Sequence, residues 1–140
     1  MEYKLIKLAI VGSRTFNNYS LATAVINKIA TEYGYKYIEI VSGGAKGADS
    51  LGEMYAKEKG IPTKIFPAEW KKYGKSAGFK RNVDIIKNCD VCVCFWDGES
   101  HGTKHDIELC KEMHKPCFVW NFIKNELTYN QNNDGKSVGN

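Results

Sequence analysis

The chain has 140 residues, of which 43% are hydrophobic, and it carries a formal net charge of +4. This length suits one domain with its own core and leaves little room for a second. Because Lys and Arg are scattered among Asp and Glu, the charge alone does not indicate a nucleic-acid partner. No apolar run reaches the roughly 18 residues of a membrane span, and no signal-peptide pattern begins the sequence. We therefore expect a soluble, cytoplasmic protein with no membrane partner.

The five cysteines are an odd number concentrated in the second half of the chain. Without an export signal they are predicted to be reduced thiols. Cys89 and Cys92 have a spacing that zinc ligands use, and His101 and His105 follow. Cys92 and Cys94 nevertheless lie inside an apolar run, and no second pair of this spacing follows. The sequence therefore favours buried core cysteines, and we expect neither a metal nor a cofactor.

Strand-like and helix-like segments alternate along the chain. Runs of apolar and β-branched residues predict five strands, at residues 5–11, 37–41, 63–66, 91–96 and 116–120. Segments with helical spacing lie between them, around residues 21–29, 51–59, 79–87 and 107–113. The alternation predicts an α/β fold with a doubly wound, mainly parallel sheet of five strands or slightly more, covered by helices on both faces. We expect this single domain to span residues 1–124 and a flexible tail to span 125–140.

The loop between the second strand and the second helix has three glycines within five residues. Its residues are Ser42, Gly43, Gly44, Ala45, Lys46, Gly47, Ala48 and Asp49. Glycines permit positive φ and let backbone N–H groups approach a ligand at the start of a helix, where an anion such as phosphate is favoured. A tight turn that only connects the two elements is the alternative. The loop does not match a Walker sequence, because no Gly-Lys-Ser/Thr closes it.

Two further strand-to-helix loops carry polar residues. Gly12, Ser13 and Arg14 follow the first strand, and residues 97–103 follow the fourth. Right-handed crossovers place all such loops at one edge of a parallel sheet. We therefore expect the three loops to converge and to form the functional site.

Each polar residue in these loops has a functional and a structural interpretation. Arg14 can offer a planar fork to phosphate or carboxylate, or form a surface salt bridge. Ser13 and Ser42 can donate to phosphate oxygens, or form turns. Asp49 can hold a ribose diol, or simply favour the start of a helix. Asp97 can accept a hydrogen bond from a ligand hydroxyl, or form the turn in which it lies.

Residues 67–78 mix aromatic residues with glycines and lysines, which is typical of a loop or a lid. Trp70 and Tyr73 could stack on a base, or pack onto the domain. Arg81 and Asn82 follow on the next predicted helix, as ligand contacts or as ordinary helix-surface residues.

These segments together form four linked motifs. The motifs are Gly12-Ser13-Arg14, Ser42-Gly43-Gly44-Ala45-x-Gly47-Ala48-Asp49, Trp70-x-x-Tyr73-Gly74-x-x-Ala77-Gly78-x-x-Arg81-Asn82 and Phe95-Trp96-Asp97-Gly98-x-Ser100-x-Gly102-Thr103. In this order, over roughly residues 5–120, they resemble the YspA-like branch of the SLOG superfamily. The resemblance implies a Rossmann-like fold, a homodimer or higher homo-oligomer, and binding of a nucleotide or nucleotide-derived ligand such as an ADP-ribose-like molecule. The implied ligand-binding residues are Gly12, Ser13, Arg14, Ser42, Gly43, Gly44, Ala45, Gly47, Asp49, Trp70, Tyr73, Arg81, Asn82, Asp97, Gly98, Ser100, Gly102 and Thr103.

The same superfamily contains the LOG phosphoribohydrolases, which cleave the base from a nucleoside monophosphate. Gly102 and Thr103 are similar to the end of the LOG phosphate loop, and Arg81 lies where those enzymes have a catalytic arginine. Asp106 stands where they have a glutamate, and residues 97–99 replace their Pro-Gly-Gly. The resemblance thus implies a second hypothesis, hydrolysis of an N-glycosidic bond with Arg81 and Asp106 as catalytic residues.

The superfamily also contains the DNA-uptake protein DprA, which suggests a third hypothesis. Single-stranded DNA could bind to lysines near aromatic side chains on which its bases stack. The lysines are Lys71, Lys72, Lys75 and Lys80, and the aromatic residues are Trp70 and Tyr73. Four lysines without a longer basic stripe make a nucleic-acid partner less favoured than a small molecule.

Overall fold

A computed structural model, which describes residues 4–130, contains six strands and five helices. The strands are β1 (Leu5–Gly12), β2 (Tyr37–Ser42), β3 (Thr63–Ile65), β4 (Val91–Trp96), β5 (Cys117–Asn121) and β6 (Glu126–Asn130). The helices are α1 (Tyr19–Glu32), α2 (Ala48–Lys59), α3 (Trp70–Tyr73), α4 (Ala77–Lys87) and α5 (His101–Glu112). The segment predicted as a loop or lid, residues 67–78, contains α3 and a 3₁₀ turn at Gly74–Ser76.

The strands form one sheet in the order β3-β2-β1-β4-β5-β6. All neighbouring strands are parallel except β5 and β6. In the centre of the sheet, Ala9 of β1 lies beside Val41 of β2 on one side and Cys92 of β4 on the other. The predicted α/β fold with a mainly parallel sheet is confirmed, and this strand order is Rossmann-like. The order reverses direction between β1 and β4, and the carboxyl ends of strands at such a point are where open α/β sheets bind ligands.

The sheet separates two hydrophobic cores. Leu8 and Ile10 of β1 pack with buried residues of α1 and α2, whereas Ala9 and Val11 pack with buried residues of α4 and α5. This division follows from the period of two in a strand, which turns successive side chains to opposite faces. Helices therefore cover both faces, as the sequence predicted.

The C-terminal boundary of the domain differs from the prediction. Residues 126–130 were expected in a flexible tail but form β6, which pairs antiparallel with β5. The Tyr129 ring stacks on Phe118 with their centroids 4.4 Å apart, and Asn125 adopts a positive φ of 56° in the turn before β6. Asparagine tolerates this conformation, so Asn125, which the sequence suggested as the start of the tail, is a turn residue. The rest of the predicted tail, residues 131–140, lies outside the described residues.

None of the helices within residues 4–130 combines the length and the apolar character that crossing a membrane requires.

Candidate functional site

Three loops meet at the carboxyl end of the central strands, as predicted. Ser13, which follows β1, joins the other two. Its Oγ lies 3.0 Å from Ser100 Oγ and accepts a hydrogen bond from the Asp97 N–H at 3.1 Å. Its carbonyl oxygen accepts from the Ala48 N–H, at the start of α2, at 3.3 Å. Ser13 is buried, so these contacts hold the loops together from inside.

A cavity of about 560 Å³ opens between these loops and the N-terminal half of α4. A volume of this size falls within the range typical of small-molecule sites. The predicted site residues that line it are Gly12, Ser13, Arg14, Ala45, Asp49, Trp70, Arg81, Asn82, Ser100, Gly102, Thr103 and Asp106. The cavity thus brings residues from all four sequence motifs together.

The glycine loop after β2 is held by its own polar side chains. The Asp49 carboxylate accepts hydrogen bonds from the N–H groups of Gly43 (3.1 Å) and Ala45 (3.4 Å). The Gly44 N–H donates to Ser42 Oγ at 3.1 Å. These three N–H groups were the expected phosphate donors, but they bond within the loop. Asp49, in the first turn of α2, therefore holds the glycine loop that precedes this helix.

Gly47 allows the first two loops to approach each other. Its φ is +78°, and a Cβ atom at this position would lie 2.4 Å from the Ser13 carbonyl oxygen and 2.6 Å from Arg14 Cα. Any side chain would therefore collide with the backbone of the first loop. Gly47 does not line the cavity, and its contacts are those of loop packing.

Arg81 connects α4 to the glycine loop. Its Nη1 donates a hydrogen bond to the Gly43 carbonyl oxygen at 2.8 Å. A Cβ atom on Gly43 would lie 2.7 Å from Asp49 Oδ2 and 2.8 Å from Arg81 Cδ and Nη1, so a side chain here would displace both groups. Guanidinium carries five N–H groups, and one such bond leaves others for a ligand in the cavity that Arg81 lines.

Two buried carboxyl groups, Asp49 and Asp106, lie near Arg81, and each is only 5% exposed. Burial raises the pKa of Asp49 to about 6, although the Arg81 charge and the hydrogen bonds from Ala45 and Gly43 oppose the rise. Burial and then the charge of Asp49 raise the pKa of Asp106 well above its ordinary value, again against Arg81. Asp106 Oδ1 has no hydrogen-bond partner among the described residues. Asp106 is therefore a carboxyl that holds its proton to an unusually high pH.

Asp97 holds the turn between β4 and α5. Its Oδ1 accepts hydrogen bonds from the N–H groups of Glu99 (2.8 Å) and Ser100 (2.7 Å), and Ser100 Oγ also donates to it. Burial opposes the effect, but these hydrogen bonds lower the pKa of Asp97. Asp97 does not line the cavity, and its contacts are those of the turn-forming alternative.

The N-terminus of α5 opens into the cavity, where His101, Gly102 and Thr103 form part of the wall. The first turn contains no acidic residue, and no side chain in the part of the chain that the structure describes caps this end. The first N–H groups of a helix have no partner within it and carry partial positive charge. This end therefore has the chemistry to bind an anionic group.

Other predicted site residues lie outside the main cavity. Gly43 and Gly44 line an adjoining opening that shares Arg14, Trp70 and Arg81 with it. Tyr73 lines a separate opening.

Two more predicted residues have structural contacts. Ser42 is fully buried, and its Oγ donates to Glu53 at 2.6 Å. Gly98 has a positive φ of 87° in the turn that Asp97 holds.

Phe79 is a cavity residue that the sequence reasoning missed. Its ring stacks on the His105 ring, with centroids 4.2 Å apart and an angle of 21° between the planes. Asn82 Nδ2 lies 3.0 Å from His105 Nδ1. The sequence did contain a signal for this role, because Phe79 lies on the same predicted helix as Arg81 and Asn82 and only two positions before Arg81.

The five cysteines are all buried free thiols, as predicted. Within residues 4–130, one group of side chains has atoms close enough to share a metal ion, namely the thiols of Cys92, Cys94 and Cys117. They pack in the core beneath α5 and do not line the cavity. Hydrogen bonding with neighbouring thiols and burial raise the pKa of Cys92 and Cys94 well above the ordinary value, whereas hydrogen bonds from neighbouring thiols lower the pKa of Cys117. Two of the three thiols therefore do not favour the thiolate that a metal needs.

The sequence of this chain is similar to those of known proteins. A model of the "YspA, cpYpsA-related SLOG family" matches residues 6–73. The Gene 61 protein of Mycobacterium phage D29 is similar, with 33% identity over 110 residues, which are 71% of this chain and 83% of that protein.

A solved structure is also similar in fold. It is titled "Structural insights into the unique single-stranded DNA binding mode of DNA processing protein A from Helicobacter pylori". It matches with a TM-score of 0.63 at 21% identity, over 81% of this chain. This chain spans 64% of the length of that one.

Replacing Asp106 with asparagine should flatten the pH dependence of stability. A buried carboxyl whose pKa is raised by folding binds its proton more tightly in the folded state, so the free energy of unfolding falls as pH rises. For Asp49 this loss runs from about pH 4 to about pH 6, and for Asp106 it continues higher. Asp106→Asn should be more stable than wild type at about pH 8, and this difference should disappear at about pH 4.

Urea unfolding at these two pH values measures the effect. Glu108→Gln, on the exposed side of the same helix, is the matched control and should change stability by less than about 0.5 kcal/mol. Equal pH dependence in Asp106→Asn and wild type would show that Asp106 is ionised normally in the folded protein.

Proposed function

The chain belongs to the YspA, cpYpsA-related SLOG family, and from this premise we propose that it binds a nucleotide or nucleotide-derived ligand of the ADP-ribose type. The observation that carries the proposal is the cavity at the reversal point of the sheet. Arg14, Arg81, the N-terminus of α5 and two buried carboxyls share it. Cationic and acidic groups side by side suit a ligand that has both phosphates and sugar hydroxyls. In this proposal the protein senses or sequesters the ligand.

The phosphate subsite in this proposal is the N-terminus of α5 together with Arg14. The first turn of α5 contains no acidic residue, and Thr103 adds a buried hydroxyl. Arg14 is exposed at the cavity and has no ion pair among residues 4–130. The N–H groups of the glycine loop support the site indirectly, because they hold Asp49 in place.

The sugar subsite in this proposal is the pair of buried carboxyls. Asp106 Oδ1 is an acceptor without a partner in the described chain, and such a group costs stability unless it is satisfied. A ribose hydroxyl would donate to it. Arg81, between this carboxyl and the glycine loop, has further N–H groups for the sugar or a phosphate.

Arg14→Ala should weaken binding of ADP-ribose at least about tenfold, since a hydrogen bond to a charged group contributes about 1.5–3 kcal/mol. Isothermal titration calorimetry with ADP-ribose, cyclic ADP-ribose isomers and common nucleotides measures this. Lys57→Ala is the matched control, because Lys57 is an exposed cation on α2 that does not line the cavity. If wild type bound none of these compounds more tightly than about millimolar, the proposed function would be wrong.

A second candidate function is hydrolysis of a nucleotide N-glycosidic bond, which the raised pKa of Asp106 favours. A protonated Asp106 could give its proton to the leaving base while the bond from the base to C1′ of the sugar breaks. Water would then add its hydroxyl group to C1′ and return a proton to Asp106. Arg81 would hold the phosphate or the reacting sugar.

This candidate predicts release of free base from nucleoside monophosphates, measured by chromatography. Asp106→Asn, which cannot donate an acidic proton, should lower the rate at least about 100-fold. The stability measurement above separates loss of chemistry from loss of folding. If both proteins release base at the same rate, Asp106 is not the acid, and if neither does, the chain is not a hydrolase of these substrates.

A third candidate is binding of single-stranded DNA. Exposed lysines follow Trp70 in the chain, and Trp70 itself is 55% exposed. These lysines are Lys71, Lys72, Lys75 and Lys80. The solved structure with a similar fold concerns single-stranded DNA binding by that protein. Lys80 is less available to DNA than an unpaired lysine, because its Nζ forms an ion pair with Asp84 Oδ1 at 3.2 Å.

This third candidate predicts that affinity for oligothymidylate falls steeply with salt, because DNA-bound counterions are released on binding. Four phosphate contacts would give a slope of log affinity against log salt of about −3 for a single strand. Fluorescence anisotropy of a labelled oligonucleotide measures this, and replacing Lys71 and Lys72 together by alanine should reduce the slope. Absent or salt-independent binding would exclude this candidate.

A further inference from the structure

Phe79 is a large apolar side chain in an unusual position. Its side chain is 61% exposed at the wall of the cavity, and it belongs to neither hydrophobic core. Because the side chain is exposed and outside both cores, packing of the domain does not account for it. The ring is nevertheless in a defined position, because one of its faces stacks on the His105 ring 4.2 Å away.

Asn82 and His105 fix this ring in place. Asn82 lies one helical turn after Phe79 on α4, so the two side chains project from the same face of the helix. Its Nδ2 lies 3.0 Å from Nδ1 of His105, which belongs to α5. We call these three residues the aromatic platform. It joins two helices through one hydrogen bond and one stacking contact, so its orientation is set before any ligand arrives.

Trp70 provides a second exposed ring at the same cavity. A Cβ atom on Gly78, the residue before Phe79, would lie 3.6 Å from Trp70 Cη2. The Trp70 ring therefore lies against Gly78, beside the platform. Two aromatic side chains, each more than half exposed, thus line one cavity with Arg81 and Asp106. Exposed aromatic rings next to charged groups are what a planar, partly polar base requires.

We propose that the aromatic platform is the base subsite, and that the ligand stacks its base on the face of Phe79 that His105 leaves uncovered. This inference rests on the proposed function, which assigns residues to the phosphate and the sugar of the ligand but none to its base. A purine has two fused rings and can extend from Phe79 toward Trp70, whereas a pyrimidine covers less of this surface. The site therefore selects purine nucleotides. His105 and Asn82 act as positioning residues, since they hold the ring and do not touch the base.

The test compares ADP-ribose with ribose 5-phosphate, a probe that keeps the sugar and a phosphate but has no base. Stacking of a base on an aromatic side chain contributes about 1–3 kcal/mol, so Phe79→Ala should weaken ADP-ribose binding by about 5- to 150-fold. Binding of ribose 5-phosphate should stay unchanged. Phe79→Trp should retain the wild-type affinity for ADP-ribose. Met54→Ala is the control, because Met54 is exposed and does not line the cavity.

The outcomes separate this inference from the proposed function. If wild type binds neither probe, the proposed function and the base subsite are both wrong. If wild type binds ADP-ribose and Phe79→Ala binds it equally well, or Phe79→Trp loses as much as Phe79→Ala, only the base subsite is wrong. A change of oligomeric state in Phe79→Ala with unchanged ligand affinity would show that the ring is a contact between copies of the chain.

A double-mutant cycle tests the positioning role of His105. His105→Ala should weaken ADP-ribose binding less than Phe79→Ala does, and the double variant should bind no more weakly than Phe79→Ala alone. Additive losses in the double variant would mean that His105 contacts the ligand itself.

Discussion

The arrangement of the site depends on one buried carboxylate, that of Asp49. It accepts hydrogen bonds from the N–H groups of Gly43 and Ala45, and Arg81 donates to the Gly43 carbonyl oxygen. The glycine loop is thus held between α2, which supplies Asp49, and α4, which supplies Arg81. Burial of the carboxylate costs desolvation free energy, but the nearby Arg81 charge and the two hydrogen bonds limit that cost. A loop that is rich in glycine and would otherwise be mobile becomes a fixed wall of the cavity.

This constraint explains how four short motifs form one cavity. With the glycine loop fixed, Gly47 lies against the backbone of the loop after β1, and Ser13 connects that loop to the turn before α5. The parallel sheet brings these segments to the same edge, and the buried polar contacts set their distances. The resulting cavity contains both positive and acidic groups, which lets one small ligand be recognised through chemically different parts.

The fold and the position of the site could be predicted from the sequence, but much of the chemistry could not. Alternating strands and helices fix the order of elements, and crossover handedness brings their loops together. No pattern tells whether the N–H groups of Gly43 and Ala45 face a ligand or Asp49, because both give the same spacing. The same applies to Phe79, which a helical pattern assigns to packing. The sequence did not predict β6, because an asparagine before a polar segment suggests a tail, whereas Asn125 adopts the positive φ of a turn residue.

The antiparallel direction of β6 has a consequence for how the chain can be joined to other parts. Parallel β5 ends at the edge of the sheet where the cavity lies, and β6 runs back from there to the opposite edge. Five residues of strand cover roughly 15 Å, so Asn130 leaves the sheet about that far from the ligand side. β5 also lies between β6 and the central strands. A partner domain or a reporter fused after this point would leave the mouth of the cavity open.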